Sequence, residues 1–281
     1  MLSHSHLSQL HDFLNPEMVF PGTNNRGGLC YFLIDSRYDT EREKGTLITT
    51  ISNQTVVSSV TRPLNTFECG IFMRDSQGVE IVKKVIGKSR FTPLSSDVSA
   101  AKAFGFRTFF VKDSRFKKDH DGMKNPVKCY GRSAMVGFVE REEINSHRNW
   151  IDIWKIYVPE SNNIGTELND DNQNVLIGEP CSICTETYLV VGAEMNLTEN
   201  KAKFLERYLK TKFARFLHGQ AKVSQHGTKQ TYRFVPVPDI SENSPINWET
   251  SLAELDEQLF DFYGFTEAQK NHVRESIKDM V

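Results

Sequence analysis

The chain has 281 residues, of which 38% are hydrophobic and 25% charged. That length holds one large domain or two small ones with a real core, and the composition is that of a globular protein rather than a disordered one. Apolar runs of about seven residues are too short to cross a bilayer, and Met1 to His11 lacks the basic start and long apolar core of a secretory signal, so a cytoplasmic protein with no membrane partner is expected.

The order of elements reads as follows. Leu7 to Leu14 is a short strand or helix, followed by the loop Asn15-Pro16-Glu17. The stretch Val19 to Tyr38, VFPGTNNRGGLCYFLIDSRY, combines a Pro-Gly turn, a Gly-Gly pair and the apolar run Leu29 to Ile34. A short apolar run between such signals predicts a strand buried on both faces. Gly27 and Gly28 at its mouth allow close approach of another chain or a ligand. Thr46 to Val60, rich in Thr, Val and Ile, predicts strands with Ser-Asn as the turn between them. Val79 to Lys88 predicts a helix closed by Gly87. Residues 89–103 form a loop, and Lys112 to Pro126 is a long, polar, basic one, longer than a connection needs.

Val127 to Val139, Trp150 to Val158, Ile183 to Gly192 and Tyr232 to Val237 read as strands, and Arg141 to Asn145 as a helical turn. Thr198 to Leu217 predicts one long helix: Thr198 caps it, and Leu205, Tyr208, Leu209, Phe213 and Phe216 share a face. Leu252 to Tyr263 and Glu267 to Asp279 close the chain as two helices, the second opened by the capping box Thr266-x-x-Gln269. The fold class expected is α+β.

Net charge is −2, which by itself points to no nucleic acid. Its distribution is uneven. Ile81 to Arg132 holds thirteen Lys and Arg against four Asp, Lys201 to Arg233 nine against one Glu, and Asp239 to Val281 three against ten acids. Two basic regions and an acidic tail are a footprint that a DNA-binding face leaves. The five cysteines (30, 69, 129, 181, 184) are odd in number and scattered, which argues for reduced thiols. Cys181-Ser-Ile-Cys184 is a lone CxxC without the second ligand pair a zinc site needs.

The block FPGTNNRGGLCYFL at 20–33 resembles the FPG…GGVCYFL block of gamma-class adenine-specific DNA methyltransferases of type II restriction–modification systems. Further matches follow in order: Trp150-Ile-Asp-Ile-Trp-Lys155, ICTETYLVVG at 183–192 with YLKTKFARFL at 208–217, and YRFVP at 232–236 with YGFT at 263–266. VSAAKAFGFRTF at 98–109 resembles a further block in which Ala103 replaces a frequent proline. Together they cover nearly the whole chain and correspond to the family's C-terminal half.

The resemblance implies three parts: 1–45 as the last strands of a methyltransferase catalytic domain, 46–240 as a DNA target-recognition domain, and 241–281 as a helical tail. The first part implies a mixed sheet and the last a C-terminal helix pair. The family flips adenine out of the duplex and holds it between aromatic and apolar surfaces. That places Gly27, Gly28 and either Tyr31 or Phe32 at the wall of the base pocket. Lys83, Lys84, Lys88, Arg90, Arg107, Arg115, Lys117 and Lys118 would grip phosphates, and Arg107 or Arg132 would read guanine edges.

Two parts of the family pattern are missing. No strand leads into a Gly-rich loop for S-adenosylmethionine, and neither Asn15-Pro16-Glu17 nor Asn125-Pro126-Val127 is the catalytic Asn-Pro-Pro-Tyr motif. The chain is therefore expected to bind double-stranded DNA, to bind no S-adenosylmethionine alone, and to methylate only with an N-terminal methyltransferase half, as a split subunit, truncation or remnant. The alternatives are a type II restriction endonuclease, for which Glu199-Asn-Lys201 is the only Glu-x-Lys, or an inactive remnant.

Overall fold

The computed structural model describes residues 1–22, 28–162, 164, 173–222 and 226–280. The chain divides into two compact units, Met1–Lys84 and Val85–Val281, and its architecture is α+β.

The N-terminal unit is built on one mixed sheet. Its strands are β1 (Leu7–Phe13), β2 (Leu29–Ile34), β3 (Thr46–Ser52) and β4 (Thr55–Arg62), in the spatial order β2-β1-β3-β4. β1 runs antiparallel to β2 and parallel to β3, and β3 turns back into β4. That turn is Asn53-Gln54, both left-handed at φ 48° and 62°, the conformation two-residue hairpins favour. It lies one residue past the Ser-Asn expected. Leu10 and its register partner Ile48 are fully buried on one face, and a register shift between Leu7 and Gln9 lets Leu7 join them and Leu64 in a small core. Burying each contributes roughly 1.5–3 kcal/mol.

β2 departs from the sequence reading. Among the described residues it pairs only with β1, as an edge strand does, and Tyr31, Phe32, Leu33 and Ile34 are 54%, 46%, 52% and 48% exposed. The strand expected to be buried on both faces is open on both. An apolar run specifies that covering is wanted, not that the same chain supplies it.

Helix α1 (Ser76–Ile86) follows, with Val79, Ile81, Val82 and Val85 buried. The C-terminal unit contains β5 (Pro126–Tyr130), β6 (Val136–Glu140), β7 (Lys155–Pro159), β8 (Leu176–Gly178), β9 (Ser182–Cys184) and β10 (Tyr188–Val191). They form two three-stranded sheets, ordered β6-β5-β9 and β10-β7-β8. Phe104, Phe106, Phe110, Val127, Cys129, Val139, Tyr157, Ile183 and Val190 share one core cluster.

Four strand expectations are corrected here. Val127 to Val139 is a hairpin, because Gly131 to Met135 turns the chain between β5 and β6. Trp150 to Val158 is extended only from Lys155. The preceding segment curls because the buried Lys155 ammonium donates to the carbonyls of Ile151 (3.2 Å) and Ile153 (2.9 Å). Ile183 to Gly192 is two strands in two sheets, separated by the turn in which Tyr188 N–H donates to Thr185 O. Tyr232 to Val237 begins at the end of a 3-10 turn, Lys229–Tyr232, and makes a single bridge from Pro236 to Pro93; Pro236 and Pro238 have no N–H to give a ladder.

The long helix is also two: α2 (Glu199–Lys210) and α3 (Lys212–Gln220). Thr211 between them is extended (φ −62°, ψ 150°). Its hydroxyl donates to Tyr208 O and accepts from Ala214 N–H, ending one helix and capping the next. Asp256 of α4 (Leu252–Phe262) reinforces that start by accepting from Lys212 and Phe213 N–H. α5 (Glu267–Ser276) opens with the expected capping box at Thr266 and Gln269.

Candidate nucleic-acid interface

In the N-terminal unit, Gly27 lies outside the described residues. Gly28 is left-handed at φ 83°, and a Cβ there would sit 2.1 Å from Nη2 of Arg74. The close approach this glycine permits is thus made by an arginine of the same chain. Arg74 in turn donates to both carboxylate oxygens of Asp12 (2.8 Å each) and to Phe13 O (2.8 Å). Asp12 is 3% exposed, so the guanidinium neutralises a buried charge. Neither Asp12 nor Arg74 carried a sequence signal, being 62 residues apart.

Tyr31 and Phe32 stand on the open strand. Tyr31 faces its register partner His11, with ring centroids 4.6 Å apart and 15° between planes, and Phe13 flanks it at 5.8 Å. One face of β2 therefore presents a pre-stacked aromatic pair, whereas Phe32 stands on the other.

The nine basic candidates fall into two groups. On α1, Lys83 pairs with Glu80 at 2.8 Å, and Lys84 is half-buried. Lys88 donates to Phe262 O and stands 3.8 Å above that ring. Arg107 lies 3.6 Å from Glu186. Arg115 binds Asp113 and Glu143, and its hydrogen bonds hold the Asp113 carboxyl down at about 2. Lys83, Arg107 and Arg115 remain about half exposed or more in these pairs. Arg90, Lys117, Lys118 and Arg132 are exposed and make no ion pair among the described residues. Lys117 bridges by its backbone to Phe138 of β6, and Arg132 begins the turn into β6. The free cations thus concentrate along the β5–β6 hairpin. The basic loop around Lys117 is tied to that hairpin rather than left loose.

Other titratable clusters are internal. Glu179 accepts from Lys128 (2.6 Å) and Tyr130 (2.8 Å). Burial pushes its carboxyl up, but those bonds bring it below its ordinary value. Lys155 is pushed down to about 8 by burial, yet its three donors all meet carbonyls. Cys184 is buried on β9 and Cys181 exposed just before it. Among the described residues no group of three His, Cys, Asp or Glu could hold a metal. Glu199 pairs with Lys203 along α2.

Where a strand leads through a glycine towards a helix, at β10–α2, a Cβ on Gly192 would lie 2.9 Å from Leu205 and 3.0 Å from Leu197; the space is filled by the core. A cleft of about 490 Å³ lined by His4, Thr40, Glu41, Lys44 and Asn65 lies in the N-terminal unit, with no glycine-rich strand–helix turn among its lining.

No known protein family matches the sequence. No curated protein matches it either. Among solved structures, the type IIG restriction endonuclease BpuSI aligns with a TM-score of 0.46 and 9% identity, over 98% of this chain and 43% of that one. The chain thus spans less than half the length of that structure. No helix among the described residues is long and apolar enough to cross a membrane.

Proposed function

We propose that this chain is the DNA-binding, target-recognition portion of an adenine-specific DNA methyltransferase of a restriction–modification system. A partner polypeptide completes it with the S-adenosylmethionine pocket and the Asn-Pro-Pro-Tyr motif. The observation that carries the reading is β2. The strand formed by the GGLCYFL block is apolar on both faces and exposed on both, as a strand is when the layers that cover it belong to another chain. The exposed cations along the β5–β6 hairpin supply the phosphate contacts, and DNA binding by them is electrostatic and salt-dependent.

In this reading the catalytic amide and proline carbonyl come from the partner, and the flipped adenine lies against Tyr31 or Phe32. The test measures methyl transfer from S-adenosylmethionine to adenine in duplex DNA. This chain is assayed alone and mixed with a polypeptide bearing the Asn-Pro-Pro-Tyr motif. Transfer in the mixture alone supports the proposal. Transfer by this chain alone, or none in the mixture, overturns it.

A further inference from the structure

We infer that Phe109 is a stacking wedge that enters the base stack of a bound duplex, with Lys112 of its own turn and Arg132 of the adjoining turn as phosphate contacts. This rests on the DNA-binding reading above and assigns the contact surface within it. Phe109 is 68% exposed, the most exposed large apolar side chain among the described residues. Its neighbour Phe110 is buried and stacks on Phe106 with centroids 4.0 Å apart. The turn Thr108–Lys112 is therefore anchored through one ring while the adjacent ring is held in solvent.

The turn leading into β6 packs on Val111 of the same Thr108–Lys112 turn. Gly131 touches Val111 so closely that a Cβ would fall 2.2 Å from its Cγ1. Beyond it, Ser133 and Ala134 are both left-handed at φ 56°, a turn geometry normally filled by Asn-Gly. Strain of that kind persists where the surroundings fix it. Past the turn, Met135 and Val136 are 40% and 43% exposed. Phe109, Met135 and Val136 are thus exposed apolar side chains on two turns that touch through Val111 and Gly131.

Charge identifies the occupant. Three carboxylates around the turn are engaged: Glu186 accepts from Thr108 N–H and lies by Arg107, and Asp113 and Glu143 are bound by Arg115. Lys112 and Arg132 are exposed and form no ion pair among the described residues. An apolar ring bordered by uncompensated cations fits a polyanion with aromatic faces. A duplex offers both, and apolar side chains inserted between its base steps are a known way to open it.

The test compares an intact mixed-sequence duplex with one carrying an abasic gap, titrated by fluorescence anisotropy at low salt. Wild type should bind the gapped duplex more tightly. Phe109→Ala should weaken that binding about five- to a hundredfold and erase the preference. Phe109→Trp should keep it, and Arg132→Ala should weaken both duplexes alike and flatten the salt slope by about one. If Phe109→Ala binds both duplexes as wild type does, the wedge is refuted while the DNA-binding reading stands. The wedge is refuted equally if the only effect of Phe109→Ala is to turn a dimer into a monomer. No duplex binding by wild type removes both.

Discussion

β2 and β10 are the same kind of sequence with opposite fates. Leu29 to Ile34 and Tyr188 to Val191 are short apolar runs, and each ends up at the edge of its sheet. β10 is closed from within the chain. Ser99 N–H donates to Val190 O, Val190 N–H donates to the Ser99 hydroxyl, and Gly192 N–H reaches Asp97 O. All four of its side chains are buried. β2 has β1 on one side and no strand on the other among the described residues, with five of its six side chains exposed. The difference teaches that hydrophobic pattern reports what a strand needs, while its covering is set by segments distant in sequence.

Substitutions can sharpen this contrast. The largest effect is expected beneath β2, at Arg74→Ala. Removing the guanidinium leaves the Asp12 carboxylate buried without its counter-charge, which should cost about 3–5 kcal/mol in denaturant unfolding. Little change would mean that Asp12 is hydrated or protonated in the native sheet. On β10, Leu189→Ala opens a cavity at a side chain that is 1% exposed, with an expected cost of about 2–5 kcal/mol.

A pH effect of intermediate size comes from His218 in α3. Burial, aided by Lys222, pushes its pKa down to about 3. The unfolded chain therefore takes up the proton first as pH falls. The stability tied to this group is complete above about 6.5 and is lost progressively below it, amounting to about 2 kcal/mol between pH 7 and pH 5. His218→Phe should show a shallower acid loss by that amount in parallel melts. An unchanged pH profile would show that the ring takes up its proton as readily in the fold as in the unfolded chain.

The smallest stability effect is expected on β2 itself. Leu33→Ser should shift unfolding of this chain by less than about 0.5 kcal/mol, yet abolish methyl transfer in the reconstituted mixture. A large destabilisation would mean that β2 is covered by its own chain.

What the sequence made legible was local. The Thr198 cap and the Thr266–Gln269 capping box depend on residues within one turn, and both are in place. The α+β class and most element positions followed from periodicity. Thr211 was hidden because its apolar neighbours keep helical spacing across it, so only its side-chain bonds reveal the break. The β5–β6 turn was hidden because Ser133 and Ala134 are not the residues that geometry usually takes. At the candidate interface, the partners of Lys88 and Arg107, Phe262 and Glu186, are distant in sequence and were not legible, whereas Glu80 beside Lys83 and Asp113 beside Arg115 are local. Phe109 was passed over because nothing in FGFRTFF distinguishes the ring that turns outward from those that stack inside.

The central claim is most directly tested by the salt dependence of duplex binding. For about four phosphate contacts, log K should fall with log salt at a slope of about −4. Absence of binding at low salt, or binding indifferent to salt, would contradict the account.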